Sequence, residues 1–311
     1  MRAVRVVDGA ACVTEVAEPS GEGVVVTVRS AGICGSDLHM IEKGYPLGGT
    51  LGHEMAGVLA DGTAVAIEPL AKCGECEACR RGDAQLCRRG PGMILGIGRD
   101  GGMAERVLVP AEALIRLPSG VPIGDASLVE PLAVAVHGFR RGDVKLGQRV
   151  AVVGAGTIGL CAVAVARAFG ASVALVARHD HQRAAGERLG ATEASGAYPV
   201  VVDAAGSPSA LKRAVELATP GGKLLLLASY WDGLALPGMS LCLKEIDVHP
   251  SSLYGRVGDS RDFDVAARIL AENPEIARSL ITHRLPLDAA TEAFRIAGDR
   301  SAGAIKVVLQ P

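Results

Sequence analysis

The stretch RVAVVGAGTIGLCAVAVARAFGASVALVAR, residues 149–178, limits the fold more than any other part of the sequence. A short apolar run at 150–153 leads into Gly154, Gly156 and Gly159. An Ala/Val-rich segment follows to Phe169, then a second apolar run at 173–176. That order predicts a strand, a glycine turn, a helix and a strand. Gly154 permits the tight turn, Gly156 lets a pyrophosphate approach bare backbone, and Gly159 lets the helix pack close to the sheet. The turn through Thr157 and Ile158 would hold that pyrophosphate at the positive end of the helix. A lone GxGxxG is a weak signal, but between a strand and a helix in a unit of about 30 residues it marks a dinucleotide site. A membrane span is the competing explanation for residues 150–166, which carry no charge. Three glycines, with Arg149 and Arg167 at the flanks, fit a buried strand and helix better.

The choice of dinucleotide should be made at the end of the second strand. An Asp or Glu usually accepts there from the ribose 2′-hydroxyl, whereas this chain has Arg178, followed by His179 and Arg183. A guanidinium would attract the extra phosphate of NADP and leave the hydroxyl of NAD without its acceptor, so NADP is favoured over NAD. The competing reading of Arg178 is a solvated residue at a strand end.

With 311 residues, 49% of them hydrophobic, the chain can bury two ordinary domains. A net charge of −2 with mixed signs gives no indication of a nucleic-acid or membrane partner. The opening MRAVRVVDGAACV alternates like a strand and lacks the apolar core of a signal peptide, which predicts a cytoplasmic protein. Eight cysteines in a reducing compartment point to metal or catalysis more than to disulfides. Four of them, Cys73, Cys76, Cys79 and Cys87, form CGECEACRRGDAQLC in a polar segment with almost nothing apolar to pack. Four thiolates at this spacing suit a closed tetrahedral structural zinc. A disulfide pair is disfavoured by compartment, and a nucleic-acid zinc ribbon by the charge balance. Residues 1–130 otherwise show short β-type runs, such as 24–28 and 65–67, between glycine-rich turns. Within them AGICGSDLHM and GTLGHEMAG carry Cys34, Ser36, His39, His53 and Glu54, individually weak as ligand candidates.

Taken in order, GICGSDLH, GHE, the four-cysteine lobe and GAGTIG resemble the zinc-dependent medium-chain dehydrogenases, the family of zinc alcohol, sorbitol and threonine dehydrogenases. The likeness runs to the end of the chain, through SLITHRLPLDAATEAF and AIKVVL. It implies an irregular all-β GroES-like catalytic domain over residues 1–131, with the zinc lobe at 70–90. A doubly wound parallel α/β (Rossmann) domain would follow over 132–255, and a return to the catalytic domain over 256–311. It implies a second, catalytic zinc held by Cys34, His53 and Glu130, with Glu54 in or just behind the ligand shell. Glu130, in VEPLAVAVHG, stands where alcohol dehydrogenases proper have a cysteine, as in the sorbitol and threonine branch. The competing reading is a helix N-terminal carboxylate. Lys306 matches a basic residue that reaches the cofactor pyrophosphate.

A zinc with one open position would polarise an alcohol or carbonyl oxygen for hydride exchange with the nicotinamide. Ser36 and His39 would relay the proton to water. Two anionic ligands would soften the metal's charge, favouring a polyol, sugar, cyclitol or amino alcohol over ethanol. The alternative is a non-catalytic NADP(H)-binding protein with zinc for stability only. The zinc-free quinone reductases of the superfamily are argued against by the cysteine lobe.

Two further expectations concern the dinucleotide domain. GATEASGAYP, residues 190–199, is too short for the strand and helix that the family carries before VVDAAG, so the sheet should be trimmed there. The apolar run 224–227 with Trp231 would suit the seam of a homodimer or homotetramer.

Overall fold

The computed structural model describes residues 1–299, 301 and 303–311. The chain divides into two compact units. One comprises Met1–Glu130, Gly255–Ala277 and Ile281–Pro311, the other Pro131–Tyr254 and Arg278–Leu280.

The first unit is built on a mixed seven-stranded sheet. Ile281–Pro286, Lys306–Gln310, Val24–Gly32, Glu54–Val58, Ala64–Ile67 and Leu114–Arg116 lie side by side, and Arg106–Val109 also pairs with Val24–Gly32. Only the first two of these run parallel. Alternate residues face inward, so Val26, Val28, Val65 and Ile67 join Leu51, Met55 and Met103 in one apolar cluster. The hairpin of Arg2–Val7 and Ala10–Glu15 turns at Asp8 and Gly9, both with positive φ, the conformation a two-residue hairpin demands. Beneath His53 three glycine backbones cross. A Cβ on Gly96 would lie 2.5 Å from the carbonyl carbon of Gly52 and 2.7 Å from the nitrogen of His53. One on Gly101 would lie 2.4 Å from the Gly52 oxygen.

The second unit is a parallel six-stranded sheet in the order Thr192–Glu193, Ser172–Val176, Arg149–Val153, Tyr198–Asp203, Ala218–Leu226, Asp247–Pro250. The helix Thr157–Ala168 follows the glycine turn and is buried from Gly159 to Ala166. The uncharged stretch 150–166 is therefore a sheet strand and a twelve-residue helix, and no helix among the described residues is long and apolar enough to cross a membrane.

The sheet is trimmed at the expected place: its edge strand has two residues. Residues 194–197 carry the chain from there past two strands to Tyr198. Three inter-strand spacings come to about 14 Å, and a link of this length spans at most about 17 Å. Four residues leave no room for a helix, and the link bends at Gly196, whose φ is +75°. Tyr198 fills the space instead, packed with Ala174, Val201 and Ala214 under the Arg149 guanidinium, its hydroxyl accepting from the N–H of Ser195.

The expected oligomer seam at 224–227 is corrected by the topology. Leu224, Leu225 and Leu226 sit in a strand paired on both sides, and all four leucines are buried inside the chain's own core. A central parallel strand is apolar on both faces because helices cover both.

Candidate functional site

The first candidate centre begins at the end of Val24–Gly32. Cys34 caps the helix Gly35–Glu42, and its N–H donates to a carboxylate oxygen of Asp37 at 2.9 Å. The other oxygen of Asp37 lies 3.3 Å from Nδ1 of His53, within ion-pair reach but outside hydrogen-bond geometry. One fully buried carboxylate thus anchors the Cys34 turn and faces the His53 ring. Nε2 of His53 is left on the side of Ser36, whose Oγ is 3.4 Å away.

A ligand atom from each of Cys34, His53 and Glu54 falls within 4.8 Å of the others. Burial works against a charged imidazole here, but the Asp37 carboxylate and the Cys34 sulfur more than offset it, holding the His53 pKa well above its usual value. The surroundings favour positive charge at this point, which a divalent cation would bring. Sulfur, imidazole and carboxylate are donors that zinc accepts. Asp37 behind His53 repeats the carboxylate–histidine arrangement that orients metal ligands.

Glu130 lies in the first turn of the helix Val129–Arg141 and is 5% exposed. It is not among the three residues of the 4.8 Å set. Burial pushes its carboxyl up to about 7, the charge of His53 pulling it back and that of Glu54 raising it. Lys306, expected at the pyrophosphate, is placed differently. It is 2% exposed, and its ammonium donates at 2.6 Å to both carboxylate oxygens of Glu54 and at 2.9 Å to the carbonyl of Ile33. Three donors meet three acceptors, so in this conformation Lys306 holds Glu54. His39 stands one turn after Ser36 on the same helix, half-exposed, its Nδ1 3.7 Å from Glu42.

The second centre is the cysteine lobe. Cys73, Cys76, Cys79 and Cys87 present sulfurs within 4.8 Å of one another, and all four are free thiols. Cys79 lies 3.4 Å from Cys76 and 3.8 Å from Cys73. Zn–S bonds of about 2.3 Å in a tetrahedron require an edge of about 3.8 Å, so the residues fit the metal. Backbone N–H groups of Arg88 and Cys79 aim at the Cys76 sulfur and bring its pKa down to about 6. Such amides stabilise thiolate, the form that binds zinc.

In the second unit Gly154 has φ +103°, and a Cβ there would fall 2.8 Å from that of Ala205. Gly159 approaches the Gly154 carbonyl so closely that a Cβ would lie 1.8 Å from its oxygen. The position a Cβ would take on Gly156 is open, with no atom within 4 Å, and Gly156 caps the helix Thr157–Ala168. A phosphate fits at such a point. Arg178 is exposed in the bend after Ser172–Val176. His179 caps the helix Asp180–Arg188, and Arg183 pairs with Asp180 at 2.6 Å. Beside them a cavity at the strand ends is lined by Val176, Ala177, Arg183, Thr192, Ala194 and Arg213.

Sequence reasoning left Asp37 without a role. Its signal was present as an acid three residues after a helix cap, the capping-box position.

Residues 20–119 match the alcohol dehydrogenase GroES-like domain family and residues 157–272 the zinc-binding dehydrogenase family. Galactitol 1-phosphate 5-dehydrogenase of Escherichia coli K12 is 31% identical, covering 93% of this chain and 92% of its own. D-xylulose reductase A of Aspergillus oryzae is 30% identical over 87% of this chain and 85% of its own. A crystal structure from Sinorhizobium meliloti 1021 bound to NADP superposes with a TM-score of 0.88 at 30% identity, covering 100% of this chain and 99% of that one. An alcohol dehydrogenase from Escherichia coli CFT073 complexed with NADH gives 0.86 at 27% identity, covering 100% and 99%.

Proposed function

This chain belongs to the zinc-binding medium-chain dehydrogenase/reductase family, and from that premise we propose that it exchanges hydride between NADP(H) and a secondary alcohol or ketone of polyol, sugar, cyclitol or amino-alcohol type. The gathering of ligand atoms from Cys34, His53 and Glu54, with the buried Asp37 behind the first two, carries the proposal. Relatives that act on sugars and polyols give the substrate class.

Cys34 and His53 would hold the catalytic metal with a carboxylate from Glu130, directly or through water. Glu54, whose oxygens are bound by Lys306, would stand behind it. Zinc supplies polarisation of the substrate oxygen there, and the nicotinamide carries the hydride. The chain's own part is to place donors and move the proton. Ser36 Oγ stands beside the His53 ring, positioned to take a proton from the reacting oxygen. His39 lies three residues on, on the same helix face, and is half-exposed, so its imidazole can hand that proton to water. In the second unit Gly154, Gly156, Thr157, Ile158 and Gly159 would cradle the pyrophosphate. The open edge strand Asp247–Pro250, preceded by the exposed Met239 and Leu243, offers surface for a homodimer or homotetramer.

The test is a panel of polyols, sugars and hydroxy-ketones with each nucleotide, before and after chelation, together with elemental analysis and sedimentation of the same preparation. Turnover that requires metal, two zinc ions per chain and a dimer or larger particle are the expected results. One zinc and no turnover on any substrate would leave a binding protein stabilised by metal.

Arg178, with His179 and Arg183 beside it, is proposed to meet the 2′-phosphate of NADP. Arg178→Ala should lower kcat/KM for NADP by about 10- to 100-fold, the worth of one charge-assisted contact, and leave that for NAD within a few-fold. Equal changes with both nucleotides would remove Arg178 from cofactor choice.

A further inference from the structure

Asp203 ends the strand Tyr198–Asp203 with a side chain that is fully buried. A lone carboxylate there would be costly, and the chain supplies donors. The N–H groups of Ala205 and Gly206 donate to it at 3.1 and 3.3 Å, and the hydroxyl of Tyr230 at 2.8 Å. The main-chain carbonyl of Asp203 accepts from the N–H groups of Leu227 and Ala228. Burial raises the carboxyl's pKa, with the phenol and the two amides pulling it back. Burial and the neighbouring charge keep the Tyr230 phenol protonated and donating.

One side chain therefore fastens residues 204–206 to residues 227–230, the segments that leave the carboxyl ends of two neighbouring strands. The first of these strands also lies beside Arg149–Val153. Between those two the direction of winding reverses, and the crevice outside such a reversal is where doubly wound sheets take their ligand. At this reversal Ala205 packs directly against Gly154 of the glycine turn.

We propose that Asp203 and Tyr230 are positioning residues for the dinucleotide, their buried hydrogen bond fixing loop 204–206 as the wall against which the cofactor lies. This rests on the cofactor reading above. Neither residue reacts; both act through the backbone they hold.

The test is Tyr230→Phe in the full-length chain, with binding of reduced cofactor followed by its own fluorescence and steady-state kinetics alongside. Losing a hydrogen bond to a buried carboxylate should raise the cofactor dissociation constant and cofactor KM about tenfold. Polyol KM and zinc content should not move. Asp203→Asn keeps an acceptor for the two amides and can donate to the phenol oxygen, so it should bind cofactor nearly as the unaltered chain does. Asp203→Ala should bind as weakly as Tyr230→Phe or more so. The proposal is overturned if Tyr230→Phe binds reduced cofactor at full affinity while only its thermal midpoint falls. An unaltered chain that binds no reduced cofactor would instead overturn the functional reading, and the role of the pair with it.

Discussion

Cys34→Ser is expected to lower kcat for alcohol oxidation by about a thousandfold or more, and to take the zinc content from two ions per chain to one. Charge stabilisation at a catalytic metal is worth several kcal/mol, and each 1.4 kcal/mol is a factor of ten. His53→Ala should act alike, since either change removes a ligand atom from a cluster whose members lie within 4.8 Å of one another. Asp37→Asn gives the graded case. It preserves volume and an acceptor for the Cys34 N–H while removing the charge that faces His53. Loss of such an orienting group should weaken metal affinity by about 10- to 100-fold, seen as a lower chelator concentration for half-inactivation. Full activity in a Cys34→Ser protein with one zinc would dismiss this cluster as the catalytic centre.

The second large effect lies in the cysteine lobe. Cys87→Ser should also remove one zinc per chain, but its first consequence should be structural. The short helix Glu77–Arg81 has no buried residue, and the lobe's surface ion pairs, Arg81 with Glu77 and Asp83 and Arg88 with Glu75, are exposed and worth little. Little but the metal remains to hold this segment. Structural zinc contributes an apparent ~10–16 kcal/mol in isolated fingers. A loss of only about 4 kcal/mol would lower the thermal midpoint by about 6 °C in a protein of this size. Limited trypsin digestion offers a second measurement, because Arg80, Arg81, Arg88 and Arg89 become cleavable once the lobe opens. An unchanged midpoint and unchanged resistance to trypsin would deny the lobe its structural role.

Contiguous signals were legible in the amino-acid order. The glycine turn and its flanking strands, the four cysteines and the shortened link at 190–199 each depend on neighbours within one stretch of chain. Relations between distant residues were not. Lys306 and Glu54 are separated by 252 positions, and nothing local to either says that they share two short hydrogen bonds. The same holds for Asp37 with His53 and for Asp203 with Tyr230. The leucines at 224–227 misled for a physical reason: an apolar run carries no mark that distinguishes a strand covered by its own helices from one waiting for a partner. Glu130 shows the intermediate case, a carboxylate whose burial is visible only in three dimensions although its motif stood out in the sequence.

The crossing of Gly52, Gly96 and Gly101 under His53 bears on how such a protein can change over generations. None of the three carries an atom that could bind or react, yet a single methyl on Gly96 would press on the nitrogen of His53 itself. A survey of every possible substitution should find these positions as intolerant as the metal ligands. New substrates would then be acquired by altering the pocket's rim, while the bed that seats the imidazole stays fixed.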